Sequence, residues 1–233
     1  NMRNAIPREA HALLVFDASD LEGLDAYIAD YEKDLNDEFA PIESGISLKI
    51  EETDMPANVV PVEIQDNLID ALMACQNGVM RMIPTIPDTV ETSSNLAIVT
   101  IGGGKASFHI LARSSSDTMK DYLADCLTAC FSMAGMKVEL SGAYSGWQPN
   151  VNSPILHAMK LSYKQQFGTE PAVKVIHAGL ECGIIGANCP GLDMISFGPT
   201  LRSPHSPDER AYIPSVQRFY DFLTATLAQV PER

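Results

Sequence analysis

The chain has 233 residues, of which 45% are hydrophobic and 20% charged, and its formal net charge is −14 at pH 7. This length suits one large domain or two small ones, and the composition is ordinary for a globular protein. The acidic balance argues against nucleic acid and anionic membrane surfaces as partners, because both need a basic face. No apolar run approaches the roughly 20 residues that span a bilayer. We therefore expect no nucleic acid and no membrane among its partners.

The five cysteines are Cys75, Cys126, Cys130, Cys182 and Cys189. Their odd number and irregular spacing do not suggest a disulfide framework, so the sequence predicts a reducing compartment and a cytoplasmic protein. Cys126 and Cys130 are four residues apart in a helical pattern, which favours small core residues over metal ligands. Cys182 and Cys189 are not spaced as a zinc knuckle.

Hydrophobic periodicity in the first half predicts strands and helices in alternation. In chain order these are a strand at 8–16, a helix at 24–39, a strand at 46–52, a helix at 60–75, a hairpin of 95–101 with 105–111, a helix at 116–134 and a strand at 136–140. Three glycines, 102–104, separate the hairpin strands; they indicate a turn rather than a phosphate-binding loop, because no helix follows them. This half is α+β, with a largely antiparallel sheet and flanking helices.

A stretch rich in Gly, Ser, Asn and Pro at 141–154 marks the predicted domain boundary. The second half then alternates helices and strands, which indicates a parallel or mixed sheet with helices on its faces. The predicted elements are a helix at 155–166, a strand at 172–176, a short helix at 178–186, a strand at 194–197 and a helix at 214–227. Two strands are few for a free-standing α/β domain, so we expect partner strands from elsewhere.

Two predicted strand ends in the second half carry candidate chemical groups. His205 lies between two Ser-Pro steps on a stiff loop after the 194–197 strand, where it could be a metal ligand, a catalytic base or part of a surface turn. His177 and Glu181 follow the strand at 172–176, at the edge where open α/β sheets place ligands. Glu181 could bind an amine or orient a metal ligand; alternatively, it simply begins a helix.

Two further candidates lie in the first half. Arg113 ends a strand, and its forked guanidinium is suited to a substrate carboxylate, although a surface arginine is the alternative. His109, four residues earlier, should share the same sheet face. Asn4 precedes Ile6-Pro7, and its spacing alone indicates nothing.

Four phrases together resemble a known family. They are RNAIPREA (3–10), GAYSGWQPNVNSP (142–154), IHAGLECG (176–183) and ISFGPTLRSPHSPDE (195–209), in matching order and spacing. The chain is similar in these phrases to the aminoacylhistidine dipeptidases, which are Xaa-His dipeptidases of the two-zinc aminopeptidase/aminoacylase superfamily. Aminoacylases and carboxypeptidases share the site chemistry but would not carry the second and third phrases together.

The resemblance implies an incomplete lid domain at 1–140, followed at 141–233 by the C-terminal part of a mixed α/β catalytic domain. It implies that His205 is a metal ligand and that Arg113 and, less directly, Asn4 reach over the site to hold a dipeptide. Glu181 and His177 would lie at the pocket. The implied cofactor is a pair of zinc ions, with manganese or cobalt as alternatives. Relatives commonly dimerise through their lids, so the resemblance also implies a homodimer.

The chain departs from the family in one respect. The family's other metal ligands and its general base lie in a His-x-Asp motif, a bridging Asp and a Glu-Glu pair upstream of the lid, and no His-x-Asp occurs in this sequence. We therefore expect no catalytic residue in this chain and an inactive portion of a larger dipeptidase. The alternative is a complete non-catalytic protein that uses the lid fold for dimerisation or peptide binding.

Overall fold

The structure, a computed structural model, describes residues 2–175, 181–204, 206 and 208–230. Over these residues it contains both helices and antiparallel strands, as the sequence predicts. The chain separates into two compact units, one of Pro7–Ile69 and the other of Asn1–Ile6 with Asp70–Arg233. The predicted boundary near residue 141 separates a lid part from a catalytic part. It is not the division between these two units, and it stays a prediction. Among the helices of the described ranges, none has both the length and the hydropathy that a membrane-spanning helix requires.

The unit Pro7–Ile69 is organised on one long helix. A 3-10 turn, Ala18–Asp20, leads into α1, Leu21–Phe39. The Asn36 side chain donates to the carbonyl of Glu32 (2.8 Å) and to that of Ile46 (2.9 Å), and so ties the returning chain to the helix. The predicted helix is confirmed, and it begins three residues earlier than predicted.

The strands predicted at 8–16 and 46–52 are wrong. Both segments lack a ladder in the part of the chain that the structure describes, and Leu13 and Leu14 are each 61% exposed. Apolar alternation marks a segment that is able to pair, but a strand exists only where another strand lies beside it. The sequence pattern did not reveal that partners were lacking here.

A three-stranded antiparallel sheet forms the centre of the other unit, in the order β1 (Gly78–Met82), β2 (Val90–Gly102) and β3 (Lys105–Ser114). The predicted hairpin is confirmed, and it is longer at its open end than predicted. Gly103 and Gly104 turn the chain with φ of 57° and 75°, values that suit glycine. β1 was not predicted, since no predicted element lies between the helix that ends at 75 and the hairpin that begins at 95.

Helices α2 (Val62–Ala74) and α3 (Asp117–Met133) are confirmed, and their side chains form the core of this unit. The core cluster comprises Ala71, Cys75, Leu123, Leu127 and Phe131. It is extended by Phe108, Ile110 and Ala112 from one face of β3 and by Met136 and Val138. The segment 136–140 is not part of a ladder, so the predicted strand there is wrong, although its apolar residues do pack against the core.

Of the two cysteines predicted as core residues, Cys130 of α3 packs against the cluster, whereas Cys126 is half-buried. Cys75 is buried in the cluster, and the Cys130 thiol lies 3.4 Å from the Ala71 carbonyl oxygen. Burial, with a smaller contribution from Cys130, raises the pKa of Cys75 to about 11. All five cysteines are free thiols.

The remaining described elements are helical apart from one short ladder. They are α4 (Pro154–Phe167), α5 (Glu181–Asn188), β4 (Leu201–Arg202) paired antiparallel with β5 (Arg210–Ala211), and α6 (Ile213–Ala228). Helices α4 and α6 pack through aromatic rings, with Tyr163 and Phe222 at 5.1 Å between centroids. Of the predicted strands, 172–175 and 194–197 form no ladder within the described ranges, so the parallel or mixed sheet predicted for this half is not formed there.

Candidate functional site

Arg113 lies near the end of β3, directly opposite Ser93 of β2, and is half-buried. Alternation along the strand places Ile110 and Ala112 on the core face, where both pack against the cluster. Arg113 and His109 therefore share the opposite face, as predicted. The exposed imidazole of His109 lies 3.2 Å from the Ser107 hydroxyl.

The backbone on both sides of Arg113 is fixed by hydrogen bonds. The hydroxyls of Ser114 and Thr92 are 2.8 Å apart across the two strands, and Ser114 Oγ also accepts from the Ser116 amide at 3.1 Å. The Ser115 amide donates to the Glu91 carbonyl at 3.1 Å. Ser116 caps α3 by accepting from the Met119 amide. Arg113 therefore projects from a rigid strand end.

The same strand end is braced by an ion pair. Arg81 of β1 donates through Nε (2.6 Å) and Nη2 (2.8 Å) to the carboxylate of Glu91. The Glu91 side chain is only 10% exposed. The Arg81 hydrogen bonds are the main cause that holds the pKa of Glu91 below its ordinary value. The pair joins β1 to β2 beside the residues that flank Arg113.

The segment containing Ser145 and Gly146 packs against this strand end. A β-carbon added at Gly146 would overlap the Ser115 carbonyl oxygen and would lie 2.6 Å from the Ser115 carbonyl carbon. The Gly146 amide donates to Asp117 Oδ1 at 3.0 Å. Lys120 donates to the same oxygen at 2.6 Å and to the Tyr144 carbonyl at 2.9 Å. The first turn of α3 thus holds the segment in place.

The charge on Asp117 supports this arrangement. The hydrogen bond from Lys120, followed by that from the Gly146 amide, lowers the pKa of Asp117. An ionised carboxylate at the N-terminus of α3 is also favoured by the helix dipole. Asp117 is therefore an acceptor at neutral pH, as both of its donors require.

Glu181 is brought to the same region by a second glycine contact. Gly183, buried in the first turn of α5, lies against the Ser145 backbone, so that an added β-carbon would overlap the Ser145 carbonyl oxygen. Ser145 and Gly146 therefore join the end of β3 to α5. Glu181, the first residue of α5, is exposed near this contact.

Asn4 lies in an exposed turn that is held to the sheet by a residue the sequence analysis missed. Asn95 of β2 donates from Nδ2 to the carbonyls of Arg3 (2.9 Å) and Ala5 (2.8 Å). Asn95 pairs with Leu111 of β3, so it lies on the sheet face that carries Arg113. Its one visible signal in the sequence was that the predicted strand at 95–101 begins with an Asn, a residue that is uncommon in strands.

A cavity of about 1600 Å³ adjoins these residues. Its lining includes Arg113, Arg3, Gly146, Trp147 and Phe197. The single tryptophan, Trp147, is half-buried here. Of the predicted site residues, the structure places Arg113 in the wall and Asn4 and Glu181 beside segments that line it.

His205 and His177 lie outside the described residues, so their predicted roles stay predictions. Within the described ranges, no group of three His, Cys, Asp or Glu side chains is arranged to hold a metal ion. The described residues therefore do not by themselves make up a metal-ligand set, and what they offer chemically is the binding and orientation of a polar ligand in the cavity.

Comparison with known proteins gives two matches that bear on function. The chain is 38% identical over 232 residues to the cytosol non-specific dipeptidase of Escherichia coli strain K12, which covers 100% of this chain and 48% of the relative. The crystal structure of the aminoacylhistidine dipeptidase from Vibrio alginolyticus superimposes with a TM-score of 0.80 at 38% identity, over 93% of this chain and 44% of that one. No family model matches. The chain spans about half the length of the curated relative that it matches.

Proposed function

We propose that this chain, which is similar to the aminoacylhistidine dipeptidases as its four phrases predicted, is a portion of a metal-dependent dipeptidase that hydrolyses Xaa-His dipeptides. The observation that carries the proposal is the alignment of the whole chain at 38% identity. The match in fold at TM-score 0.80 supports it. The enzyme would be cytoplasmic, in keeping with the name of the E. coli relative.

Arg113 is proposed to bind the C-terminal carboxylate of the dipeptide. It lies in the cavity wall on a strand end that is fixed from both sides. A guanidinium held in one orientation can donate two parallel hydrogen bonds to a carboxylate, which fixes both the position and the direction of the substrate. Asn4 would add a polar contact from the turn that Asn95 holds on the same sheet face.

Glu181 and His177 are proposed to lie at the pocket, and His205 is proposed to be a metal ligand. The cofactor would be two zinc ions, or manganese or cobalt, which in such enzymes activate water and stabilise the tetrahedral oxygen. The general base and the other ligands would come from outside this chain. We therefore propose that the chain alone is inactive and that the complete enzyme is a homodimer with no nucleic-acid or membrane partner.

Hydrolysis of a simple Xaa-His dipeptide such as β-Ala-His tests the proposal. It would be measured for this chain and for a protein of the relatives' full length, each with zinc, manganese or cobalt added in turn. Metal-dependent turnover by the longer protein, lost with His205→Ala, is expected, and the chain alone should give none. No turnover of any Xaa-His dipeptide by the longer protein would refute the assigned activity and favour a non-catalytic protein that dimerises or binds peptides.

Arg113→Lys in the longer protein tests the carboxylate contact. Lysine keeps the charge but loses the fork. Loss of one charged hydrogen bond costs about 1.5–3 kcal/mol, so we expect KM to rise about 10- to 100-fold with little change in kcat. A dipeptide amide, which lacks the carboxylate, should bind equally to both proteins. An unchanged KM for the free dipeptide would exclude this role for Arg113.

A further inference from the structure

We propose that Asn95 is a positioning residue, which holds Asn4 on the sheet face that carries Arg113 so that both side chains meet one substrate. This inference rests on the proposed function, because it assigns Asn95 a task in substrate binding. Asn95 itself would not touch the substrate. Its two hydrogen bonds are to the backbone on either side of Asn4.

Asn95 holds the turn at residues 2–5 through two side-chain hydrogen bonds, which we call the clamp. One side-chain amide uses its two N–H groups on two carbonyls, those of Arg3 at 2.9 Å and Ala5 at 2.8 Å. These carbonyls flank Asn4, and the Ala5 amide closes the turn on the Met2 carbonyl at 3.2 Å. The backbone of Asn4 is therefore held while its side chain remains available at an exposed position.

The register of the sheet places the clamp beside Arg113. Asn95 is opposite Leu111 and Ser93 is opposite Arg113, so the two positions are two residues apart on one face. Two residues of an antiparallel strand span about 7 Å. The register shifts along β2 lie at 90–93, in its pairing with β1, and at 96–98, in its pairing with β3, so alternation between Ser93 and Asn95 is not interrupted.

Asn95 is itself well anchored. The amide of the next residue, Leu96, donates to Asn77 Oδ1 at 2.9 Å, and Asn95 is half-buried within the central strand of the sheet. Asn is poorly suited to a strand interior, so its presence there is explained by the bonds that it makes. A substrate group held by both Asn4 and Arg113 would meet two side chains already in place, which reduces the entropy lost on binding.

Tryptic release of residues 1–3 from this chain tests the clamp without reference to activity. Trypsin cleaves after Arg3, whose carbonyl is one of the two acceptors. Two lost hydrogen bonds should make the local opening at least about tenfold easier, so Asn95→Ala should speed this release about tenfold. Asn95→Asp has the same shape but cannot donate and should behave like Asn95→Ala, whereas Asn95→Gln, which keeps the donors, should recover part of the protection.

Asn36→Ala is the matched control, because Asn36 also donates from Nδ2 to two carbonyls, at 2.8 and 2.9 Å, in the Pro7–Ile69 unit. It should leave the release of residues 1–3 unchanged. If residues 1–3 are released from Asn95→Asp at the rate of the unaltered chain, the Asn95 hydrogen bonds do not hold the turn. The same conclusion follows if Asn36→Ala speeds this release as much as Asn95→Ala does.

The role in binding is tested in the protein of the relatives' full length. Asn95→Ala should raise KM for β-Ala-His about as much as Asn4→Ala does, with kcat changed less than about twofold. Because both changes act on one contact, the double variant should be no worse than either single variant. A raised KM for Asn4→Ala but not for Asn95→Ala overturns the positioning role and leaves the proposed function intact. Turnover with KM unchanged by Asn4→Ala overturns the role of Asn4 and this inference with it.

Discussion

Gly146 lies directly against the backbone of Ser115, the residue that follows β3. A β-carbon at Gly146 would be 2.6 Å from the Ser115 carbonyl carbon and 2.9 Å from its α-carbon. Backbone cannot move aside as a flexible side chain can. Glycine is therefore required at 146 for its lack of a side chain, which lets two distant segments of the chain meet two residues from Arg113.

Gly146→Ala should destabilise the larger unit by about 2 kcal/mol, the usual cost of overpacking a close contact. Urea unfolding followed by the fluorescence of Trp147, which adjoins the contact, would measure it. Gly198→Ala is the matched control, because an added β-carbon there meets nothing within 4 Å. It should change stability by less than about 0.5 kcal/mol. Equal free energies of unfolding for the two variants would show that a β-carbon at residue 146 fits without overlap.

The lowered pKa of Asp117 predicts a specific pH dependence. A carboxyl whose pKa is lower in the folded state stabilises the fold above its unfolded pKa of about 3.9, and this contribution is lost as pH falls through the folded value. Asp117→Asn should therefore cost stability at pH 7 and have a smaller effect at pH 3. The side chain is 53% exposed, so solvent screening keeps the expected cost below about 1 kcal/mol.

Free energies of unfolding of both proteins at pH 7 and pH 3 would test this expectation. Asp125→Asn, two turns further along α3, controls for the general loss of a negative charge. A difference between Asp117→Asn and the unaltered chain that stays constant over this pH range would contradict the assigned cause.

Leu123 on α3 has no solvent-exposed surface and lies in the core cluster beneath the sheet. Leu123→Ala should cost about 3 kcal/mol, because the cavity that it leaves is only partly filled by relaxation. Leu161, on α4, is 63% exposed, and Leu161→Ala should be within about 0.5 kcal/mol of the unaltered chain. The free energies of unfolding of the two variants, measured by chemical denaturation, distinguish a tightly packed core from a loosely packed one.

Cys75 should resist alkylation in the folded chain. At pH 8 a thiol of pKa about 11 is almost entirely protonated, and it is the thiolate that reacts. Cys189 is exposed and should react with iodoacetamide more than about tenfold faster than Cys75. Mass spectrometry of timed samples would give both rates, and in urea the two should become similar. Comparable rates in the folded chain would place Cys75 outside the core.

The helices could be predicted from the sequence, because a helix satisfies its own backbone hydrogen bonds. Its buried face also appears in the sequence as a periodic pattern of apolar residues. The hairpin of β2 and β3 was equally visible, since its turn lies between its two strands. The segments 8–16, 46–52 and 136–140 had the composition of strands but found no partner among the described residues. Strand pairing depends on a second segment, which local composition does not specify.

Some residues of the candidate site could be named from the sequence, but their contacts could not. Arg113 at a strand end and the glycines of 142–154 and 176–183 were visible in the sequence. The amide of Asn95, however, bonds carbonyls 92 and 90 residues away. The contact of Gly183 with Ser145 joins two glycine-rich phrases that the sequence presents as separate. Such long-range contacts depend on the tertiary structure and produce no periodic pattern in the sequence.

The two-residue turn at Gly103 and Gly104 also bears on the order in which the chain folds. Pairs beside the turn, such as Gly102 with Lys105, close short loops, whereas Ser93 with Arg113 closes a much longer one. Since short loops cost less entropy to close, we expect the hairpin to zip from its tip towards Arg113. The Asn95 contacts should come later still. A refolding chain would then regain its secondary structure before the end of the hairpin that carries Arg113 is assembled.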